Sequence, residues 1–278
     1  RTADTWVTDN LSAPAANNFR ELQTDGTWAA NSFHYSNVSD NPDVSQLLLA
    51  MGEDTTVRGY FNHYAEGIYV GYKYYETRHD TDPGYDYEAD VVYPFGHGLS
   101  YTTFDKKIMA MNEENGVITV RVEVKNTGSM AGKDVIELYC TPPYTGAIEK
   151  STVNLAAFKK TNLIQPGETE YYSLEIPVED LASYDYKVNG CYVLEKGDYV
   201  LSLRSDSHTV VDENTWSLGR DIIYDDTHDG KRPSDRVTAL NRFDQALGAD
   251  DYLTRAWDQS GRAFTGPVEG DYTAPQSV

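Results

Sequence analysis

Five carboxylates lie close together in one polar stretch, and they are the first candidates for metal ligands. They are Asp80, Asp82, Asp86, Glu88 and Asp90. A calcium loop needs oxygen ligands at alternating positions, a central glycine and a bidentate carboxylate at its end. Here Gly84 follows Pro83, and two of the intervening positions are tyrosines, so the spacing fits calcium poorly. We expect a solvated acidic loop, because runs of charge mostly face water.

The six histidines and two cysteines show no spacing that is typical of a zinc site. Neither a His-x-x-x-His nor a Cys-x-x-Cys pair occurs. We therefore do not expect a zinc site. Cys140 and Cys191 lie beside apolar residues and are expected to be free thiols, with a disulfide between them as the alternative. We expect a cytoplasmic protein, and disulfides are rare in that compartment.

The charge of the chain limits its partners. The formal net charge is −21, from 44 acidic and 23 basic residues. Such a field repels phosphate backbones and anionic membrane surfaces, so we predict neither nucleic-acid nor membrane binding. No apolar run reaches the roughly 18 residues that a membrane helix needs. A neutral ligand such as a sugar is unaffected by this argument.

The middle of the chain carries the pattern of a β-sandwich. Apolar and polar residues alternate through residues 118–124 and 136–140, as in half-buried strands. Further strands are predicted at residues 153–159, 170–176, 191–194 and 199–204. Turns such as Gln165-Pro-Gly167 separate them. Short strands with regular turns and no long helix predict an antiparallel sandwich and a mainly β fold.

The first 92 residues show little regular pattern. Residues 1–60 are rich in small polar residues and make no core of their own, so we expect them to lie over something larger. One short helix is predicted over residues 44–51, with Asp43 as its N-cap. Residues 68–75 alternate as in a strand, with Ile68 and Val70 on one face.

A segment rich in glycine and aromatic residues separates these two regions. We call Tyr93-Pro-Phe-Gly-His-Gly-Leu-Ser-Tyr-Thr-Thr-Phe104 the junction segment. Pro94 lacks a backbone donor, and Gly96 and Gly98 allow backbone angles closed to other residues. The sequence predicts a bent connector that its aromatic rings anchor to a surface.

Three stretches together resemble glycoside hydrolase family 3, the β-glucosidase family. The first is Glu66-Gly-Ile-Tyr-Val-Gly-Tyr-Lys-Tyr-Tyr75, and the second is the junction segment. The third is a series that includes Val122-Glu-Val-Lys-Asn-Thr-Gly128 and Gly132-Lys-Asp-Val-Ile-Glu-Leu-Tyr139, and it resembles the family's fibronectin type III-like domain. The resemblance covers roughly residues 61–218, which makes it more specific than a lone short motif.

The resemblance implies a retaining β-glucosidase whose two catalytic carboxylates lie outside this chain. Family members carry a nucleophilic aspartate in a barrel domain and an acid/base glutamate in an α/β sandwich domain. No stretch here matches the nucleophile motif, and the acid/base position is expected upstream of Arg1. Glu66 and His97 lie in recognisable motifs but take no catalytic role from the family. We therefore assign no catalytic, cofactor-binding or metal-binding residue.

The resemblance also implies a domain order. Residues 1–105 are expected to be the C-terminal part of the α/β sandwich domain, and residues 106–224 the fibronectin type III-like domain. Residues 225–278 are expected to be a linker or arm towards a barrel domain. Asp229-Gly-Lys-Arg-Pro-Ser-Asp235 and Pro267-Val-Glu-Gly-Asp-Tyr-Thr273 are similar to the link that precedes the barrel in members with reversed domain order.

The predicted sandwich is compatible with two functions. The first is a non-catalytic part of a β-glucosidase that removes terminal β-linked glucose from glucosides or oligosaccharides. Its partners would be the remaining sandwich and barrel domains and a sugar at their interface, and a homo-oligomer stays open. The second is a stand-alone fibronectin-like module for carbohydrate or protein binding, because a sandwich fold alone does not fix function. Residues 1–105 favour the first, since a free module has no need of them.

Overall fold

The computed structural model describes residues 2–8, 66–239 and 252–257, together with the backbone of four short strands. Those strands are β2 (Glu21–Leu22), β3 (Trp28–Ala29), β4 (Ser32–His34) and β5 (Arg58–Tyr60). They pair antiparallel as β2–β3 and β4–β5, within a compact unit of their own. The predicted helix over residues 44–51 and the link at residues 267–273 lie outside the described residues.

The larger unit contains residues 2–8, 68–239 and 254–256 and consists mostly of antiparallel strands. A short pair joins β1 (Trp6–Val7) to β6 (Val91–Tyr93). One sheet has the order β11-β8-β7, from β7 (Phe104–Glu114), β8 (Val117–Asn126) and β11 (Thr169–Pro177). The facing sheet has the order β10-β9-β14-β15. Its strands are β9 (Val135–Thr141), β10 (Asn154–Lys160), β14 (Gly197–Arg204) and β15 (Val210–Leu218).

A third small sheet completes the sandwich. It has the order β12-β13-β16, from β12 (Ser183–Asp185), β13 (Cys191–Leu194) and β16 (Ile222–Ile223). Short 3-10 turns lie before β12, at Val178–Leu181, and after β16, at Asp226–His228. Beyond β16, the Arg232 guanidinium lies 4.0 Å from the centre of the Tyr192 ring, so the chain continues along the sandwich surface.

The core forms where the sequence alternates most regularly. The apolar residues of β8 are fully buried, and they face apolar residues of β9 and β14 across the sandwich. The central members are Ile118, Val120, Val122, Val124, Leu138, Leu201 and Leu203. Because successive side chains of a strand point to opposite faces, this alternation puts one side of each sheet in the core. The predicted antiparallel, mainly β fold is confirmed, while the domain boundaries at residues 105 and 224 stay predictions.

The strand predicted over residues 68–75 is wrong. Tyr72–Thr81 is helix α1, which begins after Gly71 at φ 58° and ends at Asp82. Ile68 is 44% exposed and Val70 60% exposed, so they are not the inner face of a strand. The glycine at positive φ ends any extended run. A second short helix, α2 (Tyr87–Asp90), follows and leads directly into β6.

Helix α1 lacks an amphipathic pattern because it is covered on several sides. Four successive residues, 74–77, are buried. The strand prediction rested on the apolar and aromatic residues at positions 68, 70, 72 and 74, whose spacing of two fits a strand. Within the described residues, no helix is long and apolar enough to cross a membrane.

Candidate functional site

The outer face of β9 is buried as well as its inner face. Glu137 and Tyr139 were expected to alternate outward from the core, yet they are 5% and 0% exposed. The Tyr72 ring of α1 meets the Tyr139 ring edge-on at 6.1 Å between centroids and stacks on Phe95 of the junction segment at 4.8 Å. The helix and the junction segment therefore cover the side of the sandwich that a free-standing domain would expose.

Two hydrogen bonds hold α1 against the sandwich, one to strand β10 and one to the loop that precedes it. The Leu155 amide of β10 donates to the Tyr72 hydroxyl at 3.0 Å, and the Thr152 amide donates to Thr77 Oγ1 at 3.0 Å. Each contact satisfies a backbone N–H that would otherwise lose its partner on burial. Side chains of α1 thus accept hydrogen bonds from backbone amides at the edge of the four-stranded sheet.

Glu76 is the centre of a buried hydrogen-bond network at this contact. It is 2% exposed, and its Oε1 accepts hydrogen bonds from the Tyr87 hydroxyl at 2.7 Å and from the Ser207 hydroxyl at 2.8 Å. Its Oε2 lies 2.8 Å from His208 Nδ1. A buried carboxylate is tolerated when it is paired and hydrogen-bonded, and Glu76 has both kinds of partner. We call Glu76, Tyr87, Ser207 and His208 the Glu76 cluster.

The Glu76 cluster also orders aromatic rings. The His208 ring stacks on Tyr87 at 4.0 Å between centroids, and His79 meets His208 edge-on at 4.8 Å. The hydrogen bond that His208 donates to Glu76 raises the pKa of His208, against an opposing effect of burial, and the charges of Glu76, Asp206 and Asp80 add to the rise. A protonated imidazole is thus favoured beside the buried carboxylate.

A second polar cluster holds residues 254–256 against the sandwich. Arg255 donates from its backbone amide to Glu149 Oε1 at 2.7 Å and from Nε to the Lys150 carbonyl at 2.8 Å. Its guanidinium lies 3.7 Å from the centre of the Tyr144 ring. The Tyr69 hydroxyl donates to the same Glu149 carboxylate. Burial raises the pKa of Tyr69, so this hydroxyl stays protonated as a donor.

The acidic loop is used for local structure. Asp82 pairs with Arg78 Nε at 3.0 Å, and Asp86 caps α2 by accepting from the Ala89 amide at 3.1 Å. Among the described residues, no three His, Cys, Asp or Glu side chains are grouped so that they could hold a metal ion. Asp80 and Glu88 are exposed, as expected of a solvated loop.

Cys140 and Cys191 are free and buried, so the disulfide considered as an alternative is absent. Burial raises the pKa of the Cys140 thiol to about 12. A thiol with so high a pKa is a packing residue and a poor nucleophile.

His97 and Glu66 lie in recognisable motifs, but their surroundings do not indicate a catalytic role. His97 stacks on Tyr93 at 4.9 Å between ring centroids, within the junction segment. Glu66 is buried, and its Oε2 makes no hydrogen bond in the structure as described. Neither geometry provides the pair of facing carboxylates that a glycosidase needs.

A groove lies between the N-terminal strand and the junction segment. We call it the junction groove, and its lining includes Thr2, Asp4, Trp6, Tyr93, His97 and Leu99. It has a volume of about 640 Å³. Trp6 stands opposite Tyr93 in the β1–β6 pair, and their rings meet at 69° with centroids 6.3 Å apart. This groove could not be predicted from the sequence, because no pattern indicates that Trp6 and Tyr93 are neighbours.

The middle of the chain matches a known protein domain. Residues 134–207 match the fibronectin type III-like domain. The chain is 38% identical over 179 residues to β-glucosidase A of Butyrivibrio fibrisolvens, covering 58% of this chain and 21% of that protein. The chain thus spans about a fifth of the length of such relatives.

Solved structures agree with the sequence comparison. A β-glucosidase from Paenibacillus barengoltzii shares 31% identity with a TM-score of 0.59, over 80% of this chain and 20% of that one. β-Glucosidase 3B from Thermotoga neapolitana, in complex with glucose, shares 38% identity with a TM-score of 0.51, over 58% of this chain and 21% of that one. The resemblance to glycoside hydrolase family 3 is therefore confirmed: the chain resembles one section of the family's β-glucosidases, with a fibronectin type III-like domain within it.

Proposed function

We propose that this chain is a structural section of a retaining β-glucosidase that removes terminal β-linked glucose from glucosides or oligosaccharides. The observation that carries the proposal is the match of 80% of the chain to the Paenibacillus barengoltzii β-glucosidase. Residues 106–224 alone are too few to account for that share. The likeness therefore extends to the flanking segments, which a stand-alone fibronectin-like module would not have in common with an enzyme.

The contacts of the described carboxylates support a structural role. Retaining hydrolysis needs two carboxyl groups about 5 Å apart on either side of the glycosidic bond, one as nucleophile and one as acid and base. Glu76 is buried and engaged by three donors, and Glu137 accepts from the Tyr139 hydroxyl at 3.0 Å. Both carboxylates are committed to packing. From the resemblance to the family, we assign the catalytic pair to the remaining sandwich and barrel domains.

The covered face of the sandwich argues against the alternative function. A free carbohydrate-binding or adhesion module would keep the face of Glu137 and Tyr139 accessible to solvent or ligand. Here α1 and the junction segment cover it. We propose that residues 66–104 join the sandwich to the rest of an α/β domain, and that the reaction takes place in the cytoplasm without a cofactor.

Stereochemistry tests the proposed reaction. The longer protein that contains these 278 residues should hydrolyse an aryl β-glucoside and release β-glucose first, as proton NMR of the product reports within the first turnovers. Double displacement through a covalent intermediate requires this retention. Release of α-glucose, or hydrolysis of only non-glucosidic substrates, would contradict the proposal.

A further inference from the structure

We propose that the loop between β9 and β10 forms a binding site selective for a guanidinium group, through which Arg255 anchors the C-terminal segment to the sandwich. We call it the guanidinium site, and it consists of the Tyr144 ring, the Glu149 carboxylate and the Lys150 carbonyl. That the anchored segment leads to a further domain rests on the function proposed above, whereas the site itself rests on its contacts.

The geometry of the guanidinium site suits a planar, forked cation. The Arg255 guanidinium lies 3.7 Å from the centre of the Tyr144 ring, within the range of a cation–π contact. Nε and Nη2 of Arg255 both donate to the Lys150 carbonyl, at 2.8 and 2.6 Å. A lysine ammonium is a compact point charge without a planar face or a fork of donors, so it does not reproduce this set of contacts. The site therefore distinguishes arginine from lysine.

The Glu149 carboxylate joins three segments at this site. Its Oε1 accepts from the Arg255 amide at 2.7 Å, across 106 residues of chain. The Tyr69 hydroxyl, 80 residues before Glu149, donates to the same oxygen. The Tyr144 hydroxyl donates to Oε2 at 3.0 Å, which orients the ring that the guanidinium contacts. One carboxylate thus positions both the aromatic platform and the backbone of the anchored segment.

A buried ion pair holds the loop from below. The Lys150 side chain is 3% exposed, pairs with the Glu195 carboxylate and donates to the Pro143 carbonyl at 2.9 Å. Thr145 Oγ1 donates to Glu195 Oε1 at 2.8 Å. Because Glu195 lies between β13 and β14, these contacts tie the loop to a neighbouring turn of the sandwich. A preformed site loses less entropy when its ligand binds than a mobile one does.

The charges around the site favour a cation but do not select arginine. Glu195 compensates the charge of Lys150, and Glu149 places a carboxylate beside Arg255. The net charge of −21 also attracts cations in general. Lysine would gain from these charges as much as arginine. The selectivity therefore comes from the ring contact and the two hydrogen bonds to one carbonyl.

Hydrogen exchange of the 278-residue chain, followed by mass spectrometry, tests the proposal. The amides of residues 254–256 should exchange about tenfold faster in Arg255→Ala, because the cation–π contact and the forked hydrogen bonds are lost. Arg255→Lys should exchange almost as fast as Arg255→Ala, although it keeps the charge. Arg220→Ala is the matched control, because it removes an exposed arginine elsewhere on the chain, and its exchange should be unchanged.

A second pair of variants tests the aromatic platform. Tyr144→Phe keeps the ring and should retain most of the protection, whereas Tyr144→Leu should expose the segment as Arg255→Ala does. The amides of β8 are the internal reference, since they lie in the core of the sandwich. Their exchange should stay the same in every variant, which separates local release from general unfolding.

Four results would overturn the proposal. They are unchanged exchange in Arg255→Ala, full protection in Arg255→Lys, full protection in Tyr144→Leu, and an equal acceleration of the β8 amides. Full protection in Arg255→Lys would show that charge alone holds the segment. Any of these results refutes only the guanidinium site, because hydrolysis by the longer protein is measured separately and decides the proposed function.

Discussion

Glu76 and Ser207 are 131 residues apart in the chain, yet the Ser207 hydroxyl donates to Glu76 Oε1 at 2.8 Å in the interior. This contact joins a helix outside the fibronectin-like domain to the loop between β14 and β15. A neighbouring bond, from the Ser207 amide to the Phe95 carbonyl at 2.8 Å, adds the junction segment to the same place. The segment before the sandwich and the sandwich itself should therefore unfold together.

Removal of the Glu76 side chain should destabilise this unit strongly. Glu76→Ala leaves two hydroxyls and an imidazole without their buried acceptor, and we expect a loss of about 3 kcal/mol in the free energy of unfolding. Glu76→Gln keeps an acceptor of the same shape and should lose less, about 1–2 kcal/mol. Urea unfolding measures both values.

The control for Glu76 is Glu88→Gln, which changes an exposed carboxylate on α2. It should alter stability by less than about 0.5 kcal/mol. Equal stability of Glu76→Ala and Glu88→Gln would contradict a structural role for the Glu76 cluster.

The ion pair between His208 and Glu76 should make stability depend on pH. The pKa of His208 is raised above its ordinary value of 6.5, so the folded state holds the proton more tightly than the unfolded state. The stabilisation is complete below pH 6.5 and is lost as pH rises through the higher folded pKa. His79, Tyr87, Asp80 and Asp206 also surround the ring.

His208→Gln measures that contribution. Unfolding free energies at several pH values should show the variant less stable than the unchanged chain in acid, by about 1 kcal/mol. The difference should shrink as the solution becomes alkaline. A difference that grows with pH would show that His208 is stabilising as the neutral ring.

Gly96→Ala should test the packing of the junction segment. Gly96 has φ 84°, and an added Cβ would lie 2.6 Å from Glu137 Oε2. Gly116 has φ 76° with nothing within 4 Å of an added Cβ, so Gly116→Ala carries the backbone strain alone. We expect about 1–2 kcal/mol for Gly116→Ala and at least about 1 kcal/mol more for Gly96→Ala. Equal losses would show that the Glu137 carboxylate or the junction segment moves aside at little cost.

The two thiols should be unreactive in the folded chain. Cys140 is 2% exposed, with a pKa raised to about 12, and Cys191 is 7% exposed. A thiol reagent at pH 8 should label neither at an appreciable rate, and both at once in urea. Fast labelling of one cysteine without denaturant would show local opening, and no labelling in urea would indicate a disulfide.

The sequence predicted the strands in which apolar and polar residues alternate regularly. β8 alternates without a break from Ile118 to Val124, so its period of two is plain. β7 was missed because a bulge between Ile108 and Ala110 shifts its alternation, and β15 because it is mostly exposed. Helix α1 was misread because contacts on several sides erased its pattern.

The Glu76 cluster and the junction groove could not be predicted from the sequence, for a different reason. Their members come from distant parts of the chain, and only the packed fold brings them together. A carboxylate inside a run of tyrosines was the one signal of the cluster, and it gave no indication of its partners. That the catalytic carboxylates lie outside this chain stays a prediction of the resemblance to family 3.

The most direct measurement is hydrolysis of 4-nitrophenyl β-glucoside by the 278-residue chain beside the longer protein that contains it. We predict turnover by the longer protein and none by the chain alone. Turnover by the chain alone that a single Asp or Glu substitution abolishes would contradict the account, because the catalytic carboxylates would then lie within these residues.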